Sequence, residues 1–138
     1  GVEIGLGFDT ASLPGSKVMD EITYEENDGI KRKTNNLGGI EGGMTTGEEI
    51  IIRCVMKPIP TLYKPLDTIN VNTLEKYKAS VERSDSCAVP ACSIVCENVV
   101  AFVICKFFLE KFSGDCLEDI KNNYNSYVKR LGDRGWKK

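Results

Sequence analysis

The sequence predicts an α+β chain, with strands first and helices second. Three observations carry that expectation. Over Gly1 to Phe8 (GVEIGLGF) the apolar residues Val2, Ile4, Leu6 and Phe8 alternate, the period of a half-buried strand. Glu49 to Met56 (EIIIRCVM) is rich in β-branched residues, which fit a pleated surface. From Ala91 onward the apolar period changes to that of a helix.

Taken in order, the first strand carries two glycines, which weaken it unless a neighbouring backbone packs closely against it. Because the chain opens inside a strand, further sequence upstream is expected. Asp9 to Tyr24 fits a short helix or a loop, broken at Pro14-Gly15-Ser16. Glu25 to Lys33 is polar, and Asn27-Asp28-Gly29 is a turn signal. Thr34 to Gly47 (TNNLGGIEGGMTTG) holds five glycines, which make successive tight turns or admit a ligand to the backbone. The Glu49 to Met56 strand ends at Pro58 and Pro60, which cannot donate to a ladder. Thr68 to Val71 and Lys76 to Glu82 read as further strands, and Arg83 to Pro90 as a polar loop. Ala91 to Phe112 is apolar almost all round, as expected of a central helix covered on several sides. A second helix opens at Asp115 and Glu118 and is capped by Gly132. Its apolar face is Leu117, Ile120, Tyr124, Tyr127, Val128 and Leu131. Residues 1–132 read as one structural portion and 133–138 as a loose tail.

The 138 residues are enough for a domain with a core, and 41% apolar with 28% charged residues is ordinary for a soluble protein. A net charge of −2 argues against nucleic acid as a partner. The longest unbroken apolar run, Val99 to Cys105, is too short to span a bilayer, so no membrane partner is expected. With no secretory leader in view, the expected compartment is the cytoplasm. Six cysteines there stay reduced and serve as small hydrophobes. Cys92 and Cys96, four apart on the predicted helix, read as core thiols rather than metal ligands. No histidine is present, so these residues alone cannot complete a histidine-dependent active site.

Three segments combine rigid backbone with polar groups. Gly38 to Gly47 offers amides that can hold an anion or line a planar ring, although glycines alone more often mean tight turns. Lys57-Pro58-Ile59-Pro60-Thr61 places a cation and a hydroxyl on a stiff loop that could grip a phosphate; a strand exit with a solvated lysine is the commoner meaning of such residues. Arg83-Ser84-Asp85-Ser86-Cys87 joins a guanidinium to a carboxylate, either for recognition of an anion or as a structural pair. Cys87 has no histidine to activate it as a nucleophile.

Read in order, GVEIGLGF, TNNLGGIEGGMTTGEEIIIR, VMKPIPT and ERSDSCAVPA resemble the C-terminal half of chorismate synthases, and the apolar helix followed by EKFSGD is similar to that family too. The resemblance runs from Gly1 to about Gly132. It implies a β-α-β sandwich of antiparallel sheets around central helices, about one half of which lies in this chain, and a homotetramer. The activity implied is that of a lyase of the shikimate pathway, serving aromatic amino-acid biosynthesis. It removes phosphate from 5-enolpyruvylshikimate 3-phosphate by 1,4-anti elimination, using reduced FMN, with NADPH as a source of electrons for the flavin. By the same resemblance Gly42 matches a backbone position beside FMN. Lys57, Pro58, Ile59, Pro60 and Thr61 match the segment that holds it, Lys57 and Thr61 at the phosphate. Arg83 matches an arginine between flavin and substrate, and Asp85 the aspartate near flavin N5. The family's two catalytic histidines belong to its N-terminal portion. Met19, Thr46, Ser84 and Cys92 depart from common family residues, and none of them is one of these positions. Part of a working lyase is the leading reading, and by itself this part is expected to be inactive. A non-catalytic FMN- or phosphate-binding module, or an assembly fragment, are the alternatives.

Overall fold

The computed structural model describes residues 1–84 and 87–136. In chain order its elements are β1 (Val2–Ile4), a 3-10 turn (Gly7–Ser12), α1 (Gly15–Val18), β2 (Ile22–Glu25), β3 (Gly29–Arg32), β4 (Ile40–Glu41), β5 (Met44–Thr45), β6 (Ile52–Cys54), β7 (Asp67–Ile69), β8 (Lys76–Lys78), α2 (Val89–Lys111) and α3 (Leu117–Asp133). Four two-stranded antiparallel sheets result, β1 with β6, β2 with β3, β4 with β5 and β7 with β8. The class is α+β, as expected. The chain divides into two compact units, one of Gly1–Val55 with Ala101–Lys138 and one of Met56–Val100.

In the first unit the expected strand Gly1 to Phe8 is cut to Val2–Ile4. Gly5 and Gly7 take φ of +58° and swing the chain out of the ladder into the 3-10 turn. Gly5 N–H then donates to Ile51 O (3.0 Å) and Leu6 N–H to Asn36 O (2.8 Å). The expected close neighbour of this strand is therefore backbone: a Cβ on Gly5 would lie 2.1 Å from Asn36 O, and one on Gly38 2.4 Å from Gly5 N. Glu3 and Arg53 oppose each other across β1 and β6 and form an ion pair at 2.8 Å.

The five glycines of residues 34–47 thus have two jobs. Gly38 and Gly39 are buried where chain crosses chain, whereas Cβ atoms on Gly42, Gly43 and Gly47 would meet nothing within 4 Å. Gly38→Ala is expected to cost more than about 3 kcal/mol, because a methyl cannot enter a backbone crossing. Gly43→Ala should cost about 1–2 kcal/mol, the left-handed penalty alone. Denaturant midpoints of the two variants would check this, and equal losses would contradict it.

The turn at Asn27-Asp28-Gly29 forms as expected, with Gly29 at φ +72° and Asp28 N–H donating to Glu25 O at 3.1 Å. The helices differ in detail from expectation. α3 opens on Cys116, not Asp115, and the Cys116 thiol lies 3.3 Å from the Asp119 carboxylate. It runs through Gly132 and ends at Arg134 with a Schellman motif, Gly135 N–H donating to Gly132 O and Trp136 N–H to Leu131 O. Gly135, at φ +91°, is the glycine that this stop requires. The expected loose tail is engaged as far as Trp136, which bridges Ile30 while Gly135 O accepts from Ile30 N–H at 2.7 Å. Lys137 and Lys138 lie outside the described residues.

The expected core is largely absent among the described residues. Among the described residues Phe112, 8% exposed, is the one buried hydrophobic side chain. It packs with Phe108, Tyr124 and Tyr127 at ring centroid distances of 4.8–5.4 Å, which joins the end of α2 to α3. Ile120, Tyr124, Tyr127, Val128 and Leu131 are half-buried along that face, while Leu117 is exposed. The rest of α2 has no buried residue, and Phe102 is 76% exposed. The expectation that α2 is covered on several sides is not met by these residues, since isolated two-stranded sheets are too small to cover it. By length and composition alone, α2 would also suffice to cross a membrane, as buried helices of soluble proteins often do.

Candidate functional site

Gly42 and Gly43 form the two-residue tip of the β4–β5 hairpin, with Ile40 opposite Thr45 and Glu41 opposite Met44. Both have positive φ, +58° and +77°, as a type I′ turn demands. The tip is exposed, with no side chain masking its amides, so a flat or anionic group can approach the backbone there.

A polar network supports the hairpin from below. Asp20, 6% exposed, accepts from Thr34 Oγ1 (2.6 Å), Asn36 N–H (2.7 Å) and Leu37 N–H (3.0 Å), and so ties α1 to the start of the glycine segment. Burial pushes its carboxyl up. The Thr34 hydroxyl, the Leu37 and Asn36 amides and the Arg32 guanidinium outweigh that and hold it below the usual value. Arg32 donates through Nη1 to Asp20 O (3.1 Å) and pairs through Nη2 with Glu41 Oε2 (2.6 Å). Asn35 reaches across to Glu49 O at 2.8 Å. Thr46 N–H donates to Gly39 O at 2.9 Å and closes the base of the hairpin.

The second unit holds the other expected site residues. Lys57 to Thr61 follows β6 as irregular chain, with Lys57, Pro58 and Pro60 exposed and Ile59 and Thr61 half-buried. Arg83 is exposed on the loop before α2. Neither Lys57 nor Arg83 has an ion pair among the described residues. Tyr63, two residues beyond Thr61, donates its hydroxyl to Ser84 O at 3.2 Å, which brings the two segments together. Asp85 lies outside the described residues. Gly42 belongs to the first unit, so its geometry is that of its own hairpin.

All six cysteines are free, as expected, but their burial differs: Cys54, Cys87, Cys105 and Cys116 are exposed, and Cys92 and Cys96 are half-buried rather than core. Their sulfurs lie 3.8 Å apart, and the Cys96 thiol together with burial pushes the Cys92 thiol up, away from reactivity. Among the described residues no cluster of metal-ligating side chains occurs.

Sequence reasoning did not single out Asp20, Arg32, Glu41 or Tyr63. Only the cluster Thr34-Asn35-Asn36, three adjacent side chains able to bond backbone, hinted that a buried acceptor lay nearby.

A chorismate synthase family model matches residues 1–109. The chorismate synthase of Geobacter metallireducens is 58% identical over 138 aligned residues, covering 95% of this chain and 35% of its own length. That of Enterococcus faecalis is 60% identical over 127 residues, covering 92% and 33%. A crystal structure of chorismate synthase superimposes with a TM-score of 0.73 at 41% identity, covering 95% of this chain and 32% of that one. The chain spans about a third of the length of the curated relatives it matches, not the half expected.

Proposed function

The chain belongs to the chorismate synthase family, and on that premise we propose that it forms part of the active site of a lyase that converts 5-enolpyruvylshikimate 3-phosphate to chorismate. The observation that carries the assignment of residues is the Tyr63–Ser84 hydrogen bond, which gathers the Lys57 to Thr61 loop and Arg83 while leaving both cations without ion pairs among the described residues.

Reduced FMN, when bound, supplies electron density for loss of the C3 phosphate with no net redox change. The residues of this chain fit such a group. The bare Gly42–Gly43 tip admits a planar ring, as a side chain there would not. Lys57 and the Thr61 hydroxyl hold the flavin phosphate, with Pro58 and Pro60 stiffening the loop between them so that little entropy is lost on binding. Arg83, with its planar fork of donors, holds anionic oxygens of the substrate against the cofactor. As the C6 hydrogen is lost alongside the C3 phosphate, the Asp85 carboxylate would serve as proton acceptor. Positioning of this kind, rather than covalent chemistry, is the protein's contribution.

Acid groups including the family's histidines come from outside these residues, so the 138 residues alone are proposed to be inactive. The exposed face of α2 is proposed to pack inside the β-α-β sandwich of the whole protein, a homotetramer in the cytoplasm. NADPH is proposed as electron donor to the flavin.

In the full-length protein, Lys57→Ala is expected to raise the FMN dissociation constant about 10- to 100-fold, the loss of one charge-assisted contact. Fluorescence titration of FMN measures this. Unchanged affinity in both Lys57→Ala and Arg83→Ala would remove the flavin site from this part of the chain.

A further inference from the structure

The β4–β5 hairpin that presents Gly42 has two residues in each strand, which is too little ladder to hold a fixed orientation unaided. Its one ion pair among the described residues joins Glu41, the residue directly before the turn, to Arg32 at 2.6 Å. Arg32 is itself fixed: its side chain is 11% exposed, and its other arm donates to the backbone of buried Asp20. A pair this sheltered is screened less than a surface one and has bonds on both arms to define its geometry.

We propose that the Arg32–Glu41 pair is a positioning device that sets the orientation of the Gly42–Gly43 turn toward the flavin. This rests on the reading that Gly42 lies beside FMN. The chain of anchors runs from Asp20 through Arg32 and Glu41 to the turn, so the amides at the tip are held by a side-chain strut rather than by their short sheet. In this proposal Glu41 and Arg32 act through the turn, as positioning residues. Removing the strut leaves the hairpin formed but free to tilt, and misplacement by about 1 Å can cost up to about 100-fold in a site that works by alignment.

The test is made in the full-length protein, with FMN affinity, melting temperature and steady-state kinetics measured on each variant. Glu41→Ala is expected to weaken FMN binding about tenfold, equivalent to about 1.4 kcal/mol. The melting temperature should fall by no more than about 5 °C, because Glu41 is itself about a third exposed and Arg32 keeps its bond to Asp20 O. At saturating FMN the KM for substrate should be unchanged. Glu41→Gln, which keeps the acceptor oxygen, should recover most of the affinity. A fall in melting temperature with unchanged FMN affinity would show a merely structural pair and overturn the proposal, as would unchanged affinity in Glu41→Ala with no other effect. Lys57→Ala and Gly42→Ala separate the two levels. If both leave FMN affinity intact, the flavin reading itself fails; if both weaken it and Glu41→Ala does not, only the positioning role fails.

Discussion

Asp85→Asn in the full-length protein is expected to lower anaerobic chorismate formation about 10²- to 10⁴-fold, the range for loss of a general base. The amide keeps the size of the carboxylate and can still accept hydrogen bonds, but it cannot take a proton at neutral pH. The effect should therefore fall on kcat, with the FMN dissociation constant changed little, whereas Lys57→Ala should move binding first. That division follows from the roles proposed for them: Lys57, on a proline-stiffened loop, would bind the cofactor, and the Asp85 carboxylate would take the proton. The assay uses reduced FMN and 5-enolpyruvylshikimate 3-phosphate without oxygen, on the unsubstituted and substituted proteins side by side. A variant that keeps half of its kcat would remove Asp85 from the proton path. A variant that loses FMN instead would make Asp85 a binding residue.

How much of this is legible in the sequence depends on whether a feature is local. The Gly42–Gly43 turn, the turn at Asn27-Asp28-Gly29 and the loop through Pro58 and Pro60 follow from backbone preferences of single residues, and each is found where those preferences put it. α2 begins two residues before its expected start, with Pro90 in its first turn, where the missing N–H costs no helical bond. Strand lengths were not legible. Glu49 to Met56 has strand residues throughout but forms only Ile52–Cys54, since its partner β1 offers just three residues before Gly5 turns away. The helix cap was misjudged because Gly132 and Gly135 are equivalent in composition, and only the second takes a positive φ. Exposure of α2 was not legible at all. An apolar helix states that something covers it, and about two thirds of the length of the relatives lies outside these residues. The site residues named by resemblance to the family came from wording and order, which periodicity could not have supplied. Asp20 shows the limit most plainly, because an aspartate becomes a hub only through three donors brought to it from residues 34–37.

That hub leads to a second large effect. Asp20→Asn should destabilise the protein by about 3 kcal/mol, because its new amide N–H₂ would face either the Leu37 amide or, in the other orientation, the Asn36 amide and the Thr34 hydroxyl, and leave a buried donor without an acceptor. Asp20→Ala should cost at least as much, since all three donors then lose their partner. The pH dependence distinguishes charge from shape. The carboxyl of Asp20 is held below 3.8 in the folded protein, so between the folded and unfolded values the unfolded chain binds more protons. Its contribution is therefore complete at pH values well above 3.8 and is lost as pH falls through 3.8 toward the lower folded value. Unfolding by urea across that acid range should show stability falling with acid in the unsubstituted protein, with a shallower fall in Asp20→Asn. Parallel pH profiles would mean that Asp20 is protonated when folded or tied no more tightly than in the unfolded chain. Because the same carboxylate fixes the segment that leads into the glycine hairpin, the acid limb of stability should coincide with loss of FMN binding, and a protein that kept its flavin after losing the Asp20 contacts would uncouple the hub from the site.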